Sequence, residues 1–203
     1  MKKFFYFFII LIFIIFVSII NIFLKINSDL NHIIGIDIIL ILHLLITCFC
    51  IIFTNNYFKK FDLKNSKNFR RDIKAAFANS FFTSSIISIV SACIIYGFLK
   101  NILELLNLKS GIINYCLFAS KTWFISSPFI GLEVAVFKYF STIEYFKKPI
   151  EILILKILLF FIISFLFYST RKLNCFIYAK PICDLILLVY YSQICFGITL
   201  NKA

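Results

Sequence analysis

Long apolar runs separated by short polar stretches dominate this chain. From Phe4 to Leu24 and from Ala75 to Leu99 there is no charged residue at all. A helix needs roughly 20 apolar residues to cross a hydrocarbon layer of about 30 Å, and both runs meet that length. The same pattern predicts helices at about residues 4 to 24, 33 to 54, 75 to 99, 112 to 137, 150 to 170 and 174 to 199. The second, fourth, fifth and sixth of these each carry a charge or a histidine. No Pro- or Gly-rich linker interrupts the series. The expected fold is therefore all-α: one polytopic membrane domain over residues 1–203, a bundle of about six transmembrane helices.

The opening Met1-Lys2-Lys3 followed by an apolar run has the outline of a secretory signal peptide. The run is too long for one, however, and no small-residue cleavage site follows it. It is read as a retained first span. Composition points the same way, with 62% hydrophobic residues, 28 Phe and a mean hydropathy of +1.00. Globular domains hold about 45 to 50% apolar residues, and a water-soluble fold of this length has too little interior for the excess.

Charge sets the expected orientation. On one side of the six predicted spans lie Lys2, Lys3, Lys59, Lys60, Lys64, Lys67, Arg70, Arg71, Lys74, Lys138, Lys147, Lys148 and Lys202. The other side has only Lys25, Lys100, Lys109, Arg171 and Lys172. Short cytoplasmic loops hold the Lys and Arg excess, so both termini are expected in the cytoplasm, with the protein in the inner or plasma membrane. The net charge of +12 then follows from insertion and implies no nucleic acid. Anionic lipid headgroups are the expected partners. The basic connection at about residues 55 to 74 fits a topology-setting loop, or an amphipathic surface helix with Tyr57, Phe58, Phe61, Leu63 and Phe69 dipping into the interface.

The seven cysteines fall in or beside predicted spans, where they act as small apolar residues. None has zinc-site spacing, and neither a metal nor a cofactor is expected.

Charges inside the predicted spans carry the candidate chemistry. A Lys or Asp at the bilayer centre costs about 2.5 to 3.5 kcal/mol, while each Leu, Ile or Phe returns about 0.3 to 0.6. The fourth predicted helix holds Lys121 and Glu133, about 18 Å apart along its axis and unable to neutralise each other. Two readings stand for each: interface anchoring, with Lys121 snorkelling outward and Glu133 hydrated near the cytoplasmic end, or a functional charge. Pro128 and Gly131 in the same helix are candidate bend or gating positions.

On the sixth helix Lys180 and Asp184 stand at i,i+4 with Pro181 between them, a spacing that suits an ion pair. Pro181 also frees the carbonyl of Ile177. The pair is read either as a structural contact facing neighbouring helices or as a gating or coupling site. On the second helix Asp37 lies near the outer end and His43 deeper, suited to one interhelical hydrogen bond. Lys156, early in the fifth helix, is expected to snorkel to the cytoplasmic surface.

Enzyme classes find little support. Only His32 and His43 are present, with no Gly-rich nucleophile turn, no His-Glu-x-x-His helix and no cluster of Arg, Lys and His. No enzymatic activity is expected.

Several stretches occur in an order that resembles the second half of a multidrug and toxin extrusion (MATE) transporter. They are RRDIKAAFANSFF, YGFLKNILELLN, SSPFIGLEVAVFKYFSTIEYFKKPIEILILK and IYAKPICDLIL, spanning Arg70 to about Phe196. Within them Pro128, Phe140-Ser141-Thr142, Lys147 to Pro149, Lys156, and Pro181 with Asp184 hold positions similar to the family's. The resemblance implies one six-helix lobe of a cation-coupled antiporter that exports drugs or other organic compounds. Coupling would be to H⁺ or Na⁺, with Glu133 near a place where one branch of the family carries a coupling carboxylate, and Asp184 and Asp37 as further pathway candidates.

A family transporter is about twice this long, and its sites lie between two lobes. The resemblance thus implies a homodimer or a second half-transporter as partner, and a small organic or cationic substrate. The first predicted helix lacks the acidic residue of that branch, and the second lacks its Gly, Gln and Pro pattern. Two other readings remain: a six-helix membrane interaction protein without transport, and an inactive half-transporter remnant.

Overall fold

A computed structural model describes residues 30–60, 69–143, 145, 147–171 and 174–200. The predicted span at 4 to 24 lies outside these. The described residues form six helices and no strand: α1 Leu30–Lys60, α2 Phe69–Leu105, α3 Ser110–Phe124, α4 Ser127–Thr142, α5 Lys147–Arg171 and α6 Cys175–Leu200. The fold is all-helical, as the apolar periodicity predicts.

Among the described residues, three stretches, Ile34–Lys59, Arg71–Leu105 and Lys147–Tyr168, are long and apolar enough to cross a membrane. Their outer faces agree, since Phe82, Phe98, Leu158 and Phe165 are exposed while Lys180 and Asp184 are buried. That distribution inverts the soluble pattern, in which charged residues are almost never fully buried. The chain is a membrane protein.

The helix predicted at 112 to 137 is two helices. Pro128 stands in the first turn of α4, where its missing N–H costs nothing. In a continuous helix its ring would press on the carbonyl four residues back, so α3 stops at Phe124. The chain turns there through backbone bonds from Ser126 N to Trp123 O at 3.3 Å and from Phe129 N to Ser126 O at 3.0 Å. At 15 and 16 residues, α3 and α4 are each about 22 to 24 Å long, short of the hydrocarbon thickness.

Contacts show that the two half-helices follow one another along α1. A Cβ on Gly35 would meet the Tyr115 ring and Cys116 Sγ, His43 meets Trp123, and Lys138 stands over the Phe58 ring at 5.9 Å. The sequence offset between partners stays constant across the break, so α3 and α4 run parallel to α1 as one interrupted rod. On the other side α2 runs antiparallel. Leu99 and Leu103 pack with Ile112 and Cys116, Ser84 lies under Gly131, and Phe77 meets Tyr139 with ring centroids 5.2 Å apart.

Between α2 and α3, Asn107 adopts φ 53°, a left-handed conformation that Asn tolerates. Bonds from Asn107 N to Glu104 O and from Leu108 N to Leu103 O close the end of α2 in a Schellman arrangement. The end lies six residues past the predicted limit, and Lys100 and Glu104 form an i,i+4 ion pair there at 3.8 Å. The α5–α6 hairpin is antiparallel: Phe160 stacks on Phe176 with centroids 6.0 Å apart, Cys183 Sγ donates to Lys156 O at 3.5 Å, and Lys148 Nζ donates to Tyr190 at 3.5 Å.

The basic connection is shorter than the predicted 55 to 74, because α1 continues to Lys60 and α2 begins at Phe69. Phe58, which the amphipathic-helix reading puts at the interface, is instead buried in the main core. Gly131 does not bend a helix: it sits inside α4, where a Cβ would collide with the Ser84 carbonyl group and Ser85 N. Its role is close approach of two backbones.

Candidate functional site

Four charged side chains from α4, α5 and α6 meet inside the bundle. Lys156 Nζ lies 2.5 Å from Glu133 Oε2 and 3.3 Å from Asp184 Oδ1. Asp184 Oδ2 lies 2.6 Å from Lys180 Nζ, the pairing that the i,i+4 spacing predicts. Lys180 in turn donates to Ser126 Oγ at the break between α3 and α4, and Ser126 Oγ donates to Trp123 O at 2.8 Å. The result is one chain of alternating charge, Glu133–Lys156–Asp184–Lys180, ending on the broken helix.

The chain continues through aromatic groups. Lys180 Nζ stands 5.4 Å from the centre of the Trp123 ring, a favourable place for a cation on the indole face. Trp123 Nε1 donates to His43 Nδ1 at 3.4 Å. His43 thereby makes the interhelical bond expected of it.

Depth distinguishes this cluster from surface ion pairs. The middle of the span Lys147–Tyr168 falls between Ile157 and Leu158, about 2 Å along the axis from Lys156. The middle of Ile34–Lys59 falls at Ile46 and Thr47, one turn from His43. Lys156 and His43 thus lie near the middles of their spans, where a charged side chain is expensive.

Two sequence expectations are corrected by this placement. Lys156 does not snorkel to the surface; it turns inward and bridges two carboxylates. Glu133 is not a hydrated residue near a helix end, for its side chain is 16% exposed and bound to Lys156. Once the helix is broken at Ser126, Glu133 lies in the second turn of α4. That turn faces α5.

Asp184 and Lys180 are more deeply buried, at 3% and 5% side-chain exposure. Burying four ions is tolerable because the charges balance two against two and every contact is short. Tyr191, two turns beyond Asp184 on the same face of α6, is buried and close enough to feel the charges of Glu133, Lys156 and Asp184. Its hydroxyl has no hydrogen-bond partner among the described residues.

The remaining candidates lie apart. Asp37, half-buried on α1, makes none of these contacts. Pro181 is half-buried inside α6, which continues through it. Lys121 is exposed and lines a groove of about 360 Å³ with Ile89, Tyr96, Phe124, Ser127 and Pro128. Ser127 faces this groove while its neighbour Ser126 binds Lys180, so groove and charges meet at the helix break.

Sequence reasoning missed Ser126 and Trp123 as parts of the network. The signal for Ser126 was present in Ser126-Ser127-Pro128, a helix-start pattern inside an apolar run. Among the described residues no group of three or more His, Cys, Asp or Glu gathers as metal ligands. Cys50, Cys116, Cys175 and Cys183 are buried singly. No protein-family model, curated protein or solved structure matches the chain.

Proposed function

We propose that the chain is one lobe of a cation-coupled membrane antiporter, of the kind the MATE resemblance implies. In this reading it exports a small organic or cationic compound against inward flow of H⁺ or Na⁺. One observation carries the reading: a buried four-charge chain, centred on Lys156 near the middle of the α5 span and tied to a broken helix. Discontinuous helices with ionisable residues at the midplane are how secondary transporters build their sites.

The parts have distinct tasks. Glu133 and Asp184 provide negative charge for the coupling ion. Lys156 and Lys180 hold the pair neutral between cycles. Through Ser126 a change in that pairing reaches the break, and through Ser127 and Pro128 it reaches the groove, the proposed contact for the organic substrate. With the run at 4 to 24 as a further passage, the lobe has six spans and both ends in the cytoplasm of the inner or plasma membrane. A homodimer or a second half-transporter completes the path.

The test joins native mass spectrometry in nanodiscs with ethidium efflux from vesicles under an imposed ion gradient. Gradient-driven efflux by a dimer or a two-part complex, lost in Glu133→Gln, is the expected result. A second reading, a non-transporting interaction bundle, draws on the complete pairing of the four charges, which suits a static lock. It predicts a stable complex with no flux under any gradient.

A further inference from the structure

We infer that the groove between α2 and the helix break binds a single-chain anionic amphiphile, a long-chain carboxylate, with its head at Lys121 and the start of α4 and its tail along the apolar wall. The groove is the one given to the organic substrate above. The inference rests on that reading for the ligand's further passage, and its binding is tested without flux.

Charge decides the head. The four buried ions balance two against two, but Lys121 has no counterpart. It is exposed on α3, pairs with no acid among the described residues, and is the one charged side chain of the groove lining. The register of α3 on α1, with Tyr115 at Gly35 and Trp123 at His43, sets Lys121 level with Ile41. That level is about 8 Å from the middle of the α1 span, inside a hydrocarbon half-thickness of about 15 Å. A lone ammonium group there is expensive, and an anion beside it removes the cost.

A second group points to the same ligand. Ser127 is 4% exposed and lines the groove, yet its hydroxyl bonds to nothing among the described residues. Buried polar groups ordinarily have a partner. Ser127 also opens α4, whose first N–H groups carry the partial positive charge of a helix start. The opposing negative end of α3 is offset from within the bundle, where Lys180 donates to Ser126 Oγ. Transporters aim half-helix N-termini at anionic substrate groups in this way.

Shape decides the tail. The groove holds about 360 Å³, at the low end of small-molecule pockets, and Ile89, Ala92, Phe124 and Ile125 make its wall apolar. It has room for one alkyl chain. A bilayer phospholipid brings two, and its phosphate stays in the headgroup layer, outside the hydrocarbon depth at which Lys121 lies. A free carboxylate can follow its single chain inward.

Trp123, the only Trp in the chain, adjoins Phe124 of the groove wall, so bromine on a bound tail quenches its emission. The full chain in nanodiscs of zwitterionic phospholipid is titrated at alkaline pH with stearate brominated at mid-chain, then with the brominated alcohol of the same length. The expected result is saturable quenching by the carboxylate, weaker by about tenfold or more for the alcohol and in Lys121→Met, as the loss of one charge-assisted contact requires. Cys93→Phe, which fills the groove and keeps the charge, is expected to abolish it. Equal quenching by acid and alcohol, or quenching unchanged in Lys121→Met or Cys93→Phe, overturns the inference, because the probe is then only dissolved in the bilayer. Saturable quenching by a brominated anionic phospholipid that stearate does not displace makes the occupant a bilayer lipid and overturns it too. If Lys121→Met does not fold, the alcohol and Cys93→Phe decide. Carboxylate-selective binding with no efflux under any gradient leaves this inference standing and defeats the transport reading. Gradient-driven efflux without carboxylate-selective quenching does the reverse.

Discussion

Lys156 on α5 and Glu133 on α4 are 23 residues apart in sequence and 2.5 Å apart in the bundle. That contact joins the α5–α6 hairpin to the interrupted rod, and it does so through charge in the middle of the spans. Removing Lys156 alone leaves two carboxylates facing one lysine. Lys156→Met is therefore expected to lose about 3 to 5 kcal/mol of stability. The double variant Lys156→Met with Glu133→Gln restores neutrality and recovers most of the loss. Thermal denaturation in one detergent across the four proteins of the cycle checks this, and additive losses would show that the pair is not coupled.

The backbone of α4 touches that of α2 at Gly131, where a Cβ has no room against the Ser84 carbonyl. Gly131→Ala is expected to separate the two helices and lower the melting temperature clearly. Gly97 provides the contrast, because nothing lies within 4 Å of a Cβ there. Gly97→Ala should be neutral or stabilise by roughly 0.5 to 1 kcal/mol, the usual gain in a helix interior. Equal effects at the two sites would contradict the close approach.

Pro128 ends α3 by sterics. In Pro128→Ala the obstacle is gone and a backbone bond to the residue four back becomes available. Amides around Ile125 to Phe129 should exchange faster in the parent protein than in the variant. Hydrogen exchange read by mass spectrometry over residues 120 to 132 makes the comparison, and unchanged rates would mean that Lys180 and Ser126 hold the break without the proline.

Trp123 binds His43 through its indole N–H. Polar contacts of this kind between membrane helices average about 0.6 kcal/mol, so His43→Phe, which keeps ring volume, should cost no more than about 1 kcal/mol. Unfolding by a graded denaturing detergent measures it. A larger loss would mean that His43 supports more of the network than this one bond.

Element type was legible from the chain alone, because an uncharged run of this length has one cheap conformation in a membrane. So was the Lys180–Asp184 pair, which needs only helical periodicity. Lys156 was misplaced for a physical reason: its distance from the start of α5 suggested a shallow position, but depth is set by the register of α5 on α6. That register depends on which side chains interlock, as at Phe160 and Phe176. Glu133 looks shallow from the chain alone because 112 to 137 reads as one helix, which puts it near an end. With the break at Ser126 it belongs to the start of the next helix. The Schellman turn at Asn107 and the extra turns of α2 were likewise beyond a hydropathy reading, since Lys100 and Glu104 look like loop residues until they pair.

The Gly131 seat divides the interrupted rod mechanically. Below the break, α3 rests on α1 through the ring of Tyr115 and the sulfur of Cys116 against Gly35, contacts that can slide as side chains rotate. Above it, α4 is clamped main chain to main chain on α2 and has no such freedom. In the proposed transport cycle, a force applied at Ser126 by Lys180 would be shared unequally, with α4 as the fixed jaw and α3 as the compliant arm, and displacement would go toward the Ser110 end.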